Sequence, residues 1–195
     1  MKNSFLYFAF TLFIFVNFKS QNSNDLFNKT VFEIKGDLNK DNLIDMVTVR
    51  ENSKSKYNPY QLEIKFKNAN GGFTSVFLSD KAVPNKFPYG DGRTEVILEN
   101  LEIKNGVLIF SNQLIRGRLT HKFRFQNGNF ELIGYTFHNA SQGFIEYIDY
   151  NLSTGKKILR KTAYETDKVL SLLETSEKIN PLPKLQDFTP FDFMY

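Results

Sequence analysis

The chain has 195 residues, a formal net charge of +4, 41% apolar and 15% aromatic residues, and neither Cys nor Trp. That composition excludes a disordered chain, a collagen-like repeat, a disulfide scaffold and a thiolate metal site. It fits one domain with a core of its own, since a chain of this size hides roughly 70% of its extended surface on folding.

The first segment reads as an export signal. Lys2 gives a positive start, and Phe5 to Phe18 is an apolar run interrupted only by Thr11 and Asn17. The run is shorter than the roughly 20 residues that cross a bilayer, but it suits the apolar stretch of a secretory signal. A buried core helix is the competing reading. Residues 1–20 are expected to leave by cleavage after Ser20, with bulky Phe18 two residues before it blurring the cut. Lys2 and Lys19 leave with the signal and take half of the net charge. The remainder gives no electrostatic reason to expect nucleic acid as a partner. Without Cys there is no acylation site, so the expectation is no stable membrane anchor and a location in the periplasm or outside the cell.

From residue 21 to 180 the chain reads as one β domain. Thr30–Ile34 and Met46–Val49 are short apolar strands on either side of a polar loop. Tyr60–Phe66 alternates apolar and polar residues, as a half-buried strand does. Asn70-Gly71-Gly72 turns it into Phe73–Leu78. Leu98–Ile103 and Val107–Phe110 form a hairpin around Asn105-Gly106, and His121–Phe125 and Phe130–Gly134 form another around Asn127-Gly128. Phe144–Asn151 and Lys156–Ala163 flank Thr154-Gly155. Successive hairpins predict an all-β fold, an antiparallel meander closed into a sandwich or partial barrel. One short C-terminal helix is predicted: Thr166 or Asp167 caps it, Val169, Leu170, Leu172, Leu173 and Ile179 recur at helical spacing, and Asn180-Pro181 ends it. Beyond it, 181–195 is an extended tail carrying Leu185, Phe188, Phe191 and Phe193. Docking on the sheet is the expectation; a strap that binds a partner is the alternative.

The polar loop holds the sharpest chemical signal. Asp37, Asn39, Asp41 and Asp45 occupy positions 1, 3, 5 and 9 of a run that begins after Gly36. A tight loop turns alternate side chains toward one cation, and Ca²⁺ takes six to eight oxygens, one of them a backbone carbonyl near position 7, here Leu43. Position 6 usually needs Gly for its turn, and Asn42 is the next best residue for left-handed backbone. Position 12 is Thr48 instead of the Glu of an EF-hand, and a strand follows instead of a helix. The tentative metal set is therefore Asp37, Asn39, Asp41, Leu43 and Asp45, with Ca²⁺ as the ion. A solvated polar turn is the alternative, although three carboxylates in nine residues repel one another.

This loop resembles the calcium loop of FG-GAP and VCBS-type β-repeats, whose pattern is D-x-[DN]-x-D-G-x-x-D between short strands. It departs from that pattern at Asn42. Gly36–Asp41, Ile103–Leu108, Lys122–Gly128, Phe130–Tyr135 and Asn151–Lys157 together resemble small secreted bacterial proteins that carry one such loop. That resemblance implies an exported β-domain and brings no catalytic residue. The loop occurs once, so the stacked blades of a propeller are not expected.

Other constellations are weaker. Arg116, Arg118, His121, Lys122 and Arg124 make a basic stretch in which Phe123 and Phe125 share one face and Lys122 and Arg124 the other. It reads as an amphipathic strand, with an anionic-ligand site as the second reading. Pro84–Arg93 is a long loop bearing Tyr89, of the kind that carries recognition on a β scaffold. His121 and His138 fit no metal or triad spacing, and HExxH, GxSxG, P-loop and Cys nucleophile are all lacking. No catalytic residue stands out, so an enzyme is not expected. The leading expectation is an exported binding or interaction module with a structural calcium loop, whose partner is an unspecified protein or envelope ligand. A periplasmic inhibitor or immunity-type protein and a carboxylate-dependent hydrolase are the alternatives.

Overall fold

Two Asn-Gly pairs place consecutive residues in left-handed backbone, Asn105 and Gly106 at φ 53° and 73°, Asn127 and Gly128 at 52° and 73°. Two such residues make a hairpin turn whose twist matches the flanking strands. The computed structural model describes residues 26–192, so the segment read as an export signal and Phe193 lie outside the described residues. Within them β1 (Lys29–Gly36), β2 (Asp45–Glu51), β3 (Tyr60–Lys67) and β4 (Phe73–Ser79) form an antiparallel sheet in chain order. A second antiparallel meander holds β5 (Val96–Lys104), β6 (Val107–Leu114), β7 (Gly117–Gln126), β8 (Asn129–Ser141), β9 (Phe144–Asn151), β10 (Lys156–Ala163) and β11 (Val169–Ser176). The fold is nearly all β, in two sheets with no closed barrel.

The sheets meet across apolar faces. Val47, Val49, Leu62, Ile64 and Phe77 from the first bury with Leu101, Leu108, Phe110, Leu119, Phe123 and Leu132 from the second. Phe66 on β3 stands edge-on to Phe125 on β7 at 4.9 Å, and Phe77 on β4 meets Phe130 on β8 at 6.5 Å. Edge strands β1 and β5 approach so closely that a Cβ on Gly36 would lie 2.7 Å from Cγ2 of Ile103. Gly117 is needed for a similar reason. It opens β7 directly beside β8, and a Cβ there would fall 1.9 Å from the His138 carbonyl oxygen.

The predicted C-terminal helix is not formed. Val169–Ser176 is β11, paired antiparallel with β10 from Lys156↔Ser176 to Thr162↔Val169, with an irregularity in register between Lys161 and Thr162. All eight of its residues are exposed. The i, i+3, i+4 spacing of its leucines suits a helix only where a second surface covers the apolar stripe. None of the described residues supplies one there, and β10 offers a free edge of backbone donors and acceptors instead. The one helical element among the described residues is a single 3-10 turn at Leu185–Asp187.

That turn belongs to a tail that fills space over the wider sheet. The Leu132 N–H donates to the Pro183 carbonyl at 2.8 Å, and Lys184 bridges Glu131. Leu185 and Phe188 are buried, and Phe188 stands edge-on to His121 at 4.8 Å and to Phe123 at 4.9 Å.

Candidate functional site

The acidic loop joins β1 to β2, and its side chains are turned onto its own backbone. Asp37 accepts from the Lys40 N–H (2.6 Å) and the Asn42 N–H (2.9 Å). Asn39 accepts from the Asp41 N–H and Asp41 from the Leu43 N–H, at 3.1 and 2.8 Å. Asn42 has left-handed backbone, φ 66°, as its position requires, and Lys40 does too at 64°. Leu38 points inward and is buried, so the loop is pinned to the core from beneath. The Asn105-Gly106 turn closes over it, with the Gly106 Cβ position 3.5 Å from the Asp37 carbonyl oxygen.

Asp45 differs from the others. It is fully buried and accepts from the Leu38 N–H at 2.8 Å and the Lys67 N–H at 3.0 Å, tying the end of β1 to the end of β3. Burial pushes its pKa up; the backbone N–H groups act against that, and the nearby Asp41 adds to it. The side-chain oxygens of Asp37, Asn39, Asp41 and Asp45 are hard donors of the kind Ca²⁺ takes, and each engaged carboxylate oxygen keeps a second lone pair. Asn39 also donates its Nδ2 to the Asp41 carboxylate at 2.9 Å. Among the described residues no three acidic or histidine side chains are gathered as a ready metal cluster. The donor types suit a calcium ion, but in this geometry the side chains already close the loop through its own N–H groups.

The basic stretch divides as an amphipathic strand should. His121 and Phe123 are buried, whereas Lys122 and Arg124 lie half-buried on the other face of β7. Burial drives the pKa of His121 down to about 3. Neither ring nitrogen has a hydrogen-bond partner among the described residues, nor does Oδ1 of buried Asn112. His121 is thus a neutral core residue.

Pro84–Arg93 lies at the opposite end of β5 and β6 from the acidic loop. It is fastened down: the Lys86 and Phe87 N–H groups donate to the carbonyls of Asn58 and Tyr57 at 3.3 and 3.1 Å. With the β6–β7 turn it encloses a hollow of about 690 Å³. The wall is mainly apolar, from Pro84, Pro88, Val96, Leu114, Ile115 and Phe191, with Arg116 and Glu95 as its charged members. Tyr89 and Ile115 are 62% and 74% exposed. Sequence reasoning found the Pro84–Arg93 loop and placed Arg116 in the basic stretch, but missed Ile115 and the turn it makes with Arg116. That two-residue turn has no Asn-Gly signal, and only Gly117 after it marks the place. No family model matches the chain, and neither the curated proteins nor the solved structures hold a match to it.

Proposed function

We propose that this protein is an exported, non-catalytic binding module, a β-sandwich that presents an apolar hollow at one end and a structural calcium loop at the other. The observation that carries the reading is the hollow between Pro84–Arg93 and the β6–β7 turn. Its volume, about 690 Å³, lies within the roughly 300–1,000 Å³ range of small-molecule and side-chain-anchoring sites. Tyr89 and Ile115 project from its rim, and aromatic, aliphatic and arginine side chains of this kind make the anchors of recognition surfaces. The nine residues of β5 separate the two ends by about 30 Å, so the calcium loop acts as a staple remote from the ligand. In that loop Asp37, Asn39, Asp41 and Asp45 supply side-chain oxygens and Leu43 a carbonyl, and the resemblance to FG-GAP-type loops supports this assignment.

The test uses an apolar fluorophore, anilinonaphthalene sulfonate, titrated into the folded protein. Saturable enhancement is expected, reduced several-fold in Ile115→Ser and Tyr89→Ser. Both side chains are exposed, so neither change should move stability by more than about 0.5 kcal/mol. Enhancement that ignores both substitutions would remove the hollow as the recognition site.

A further inference from the structure

The outer face of the wider sheet carries a second, polar hollow remote from the apolar one. A continuous cross-strand row defines its floor: Lys122 on β7 stands opposite Gly134 on β8, Gly134 opposite Asn151 on β9, and Asn151 opposite Lys156 on β10. Glycine at the second position leaves a gap between the two lysines, and Ile133, where the register of β8 against β7 shifts, also lines it. Lys122, Arg124, Asp149, Asn151, Ser153 and Thr154 surround about 460 Å³. A smaller hollow of about 260 Å³ continues past Asp149 and Asn151 to Lys156.

Three features of this hollow call for an acceptor from outside. Lys122 and Arg124 have no ion-pair partner among the described residues, although both are half-buried and both line this hollow. The Nε of Arg124 is sealed from solvent and has no hydrogen-bond partner, a state that is costly for a charged donor, and an incoming anion meets this guanidinium through its Nη groups. Glu131 lies opposite Arg124 in register, yet its carboxylate is engaged by Gln126 Nε2 at 2.6 Å and Asn127 Nδ2 at 3.4 Å. Beside Ile133, Gly134 and Tyr150, the remaining lining is the hydroxyls of Ser153 and Thr154, the Asn151 amide and the Asp149 carboxylate, which suit sugar hydroxyls.

We propose that this hollow binds an anionic sugar unit, its phosphate, sulfate or carboxylate held by Lys122 and Arg124 and its hydroxyls by Asp149, Asn151 and Thr154. An arginine fork and an ammonium converging on one oxyanion give charge-assisted hydrogen bonds, the strong kind. The site stands independently of the apolar hollow, and either can fail without the other.

The experiment is an NMR titration of the folded protein with glucuronate, a hexose monophosphate, inorganic phosphate and glucose at constant ionic strength. Saturable shifts are expected for glucuronate or the hexose monophosphate at Lys122–Arg124, Gly134 and Asn151–Thr154, and the better of the two identifies the oxyanion. Glucose and inorganic phosphate should each bind at least about tenfold more weakly, since each lacks one half of the contacts. Lys122→Gln and Arg124→Lys should each weaken binding by about tenfold. Arg118→Gln, an exposed residue paired with Glu99, should not. Inorganic phosphate binding as tightly as the sugar anions would overturn the sugar assignment. No saturable shift with any anion at millimolar concentration, or shifts unchanged in both the Lys122 and Arg124 variants, would overturn the site.

Discussion

His121 sits in the core with Phe188 edge-on to its ring and Tyr135 beside it, an environment that has no answer to a positive charge. Its folded pKa is near 3, against about 6.5 for the unfolded chain. Between those values the unfolded state binds a proton that the folded state refuses, so stability is lost as pH falls, by about 1.4 kcal/mol per unit. Asp45 works in the other direction: its folded pKa is raised, so it favours the fold as pH drops through that value. The histidine acts first, in the window below about 6.5. Urea unfolding at pH 7 and pH 4.5 should show a loss of about 2–3 kcal/mol in the parent, sharply reduced in His121→Leu. An equal loss in both would place the acid sensitivity elsewhere.

At the scale of elements, the β1–β2 loop and β11 show what a sequence can and cannot convey. Hairpins at Asn105-Gly106 and Asn127-Gly128 were legible because the turn chemistry is local and admits few conformations. β11 was not, because Val169, Leu170, Leu172 and Leu173 fit a helical stripe equally well. The choice was made by pairing with β10, a contact that no local pattern encodes. The long β8, running on to Ser141, escaped for the same reason. The acidic loop was legible as a set of donors, down to the left-handed Asn42. That its side chains would also satisfy the loop's own N–H groups follows only from the folded geometry. Calcium at about a hundred times its dissociation constant should stabilise the fold by roughly 2.7 kcal/mol. Melting curves in EDTA and in millimolar Ca²⁺, with Mg²⁺ as control, should therefore differ. The difference should vanish in Asp37→Ala and Asp41→Ala. Curves that coincide would leave the loop as a self-closed polar turn.

On the scale of the molecule, the two sheets are unequal, four strands facing seven, and the narrower one cannot cover the inner face of the wider. The residues from Pro183 to Phe188 lie over that face, with Leu185 and Phe188 sealed at 0% and 2% exposure. The basic row on β7 was visible in the sequence, but its partners Gly134, Asn151 and Thr154 come from β8 and from the β9–β10 hairpin. Only the meander brings them together. If the tail is part of the core, Phe188→Ala should cost about 3–5 kcal/mol, read as a lowered urea midpoint. A midpoint that stays in place would make the tail a detachable strap.

The position of Phe188 in the chain has a bearing on biogenesis. Its ring completes a surface laid down by His121 and Phe123, more than sixty residues earlier. A chain emerging from its N-terminus can zip up every hairpin of the wider sheet by local pairing, yet the patch of its apolar face around His121 and Phe123 lacks the Phe188 ring until that segment arrives. Closure of this part of the core therefore waits for Phe188, however early the hairpins form.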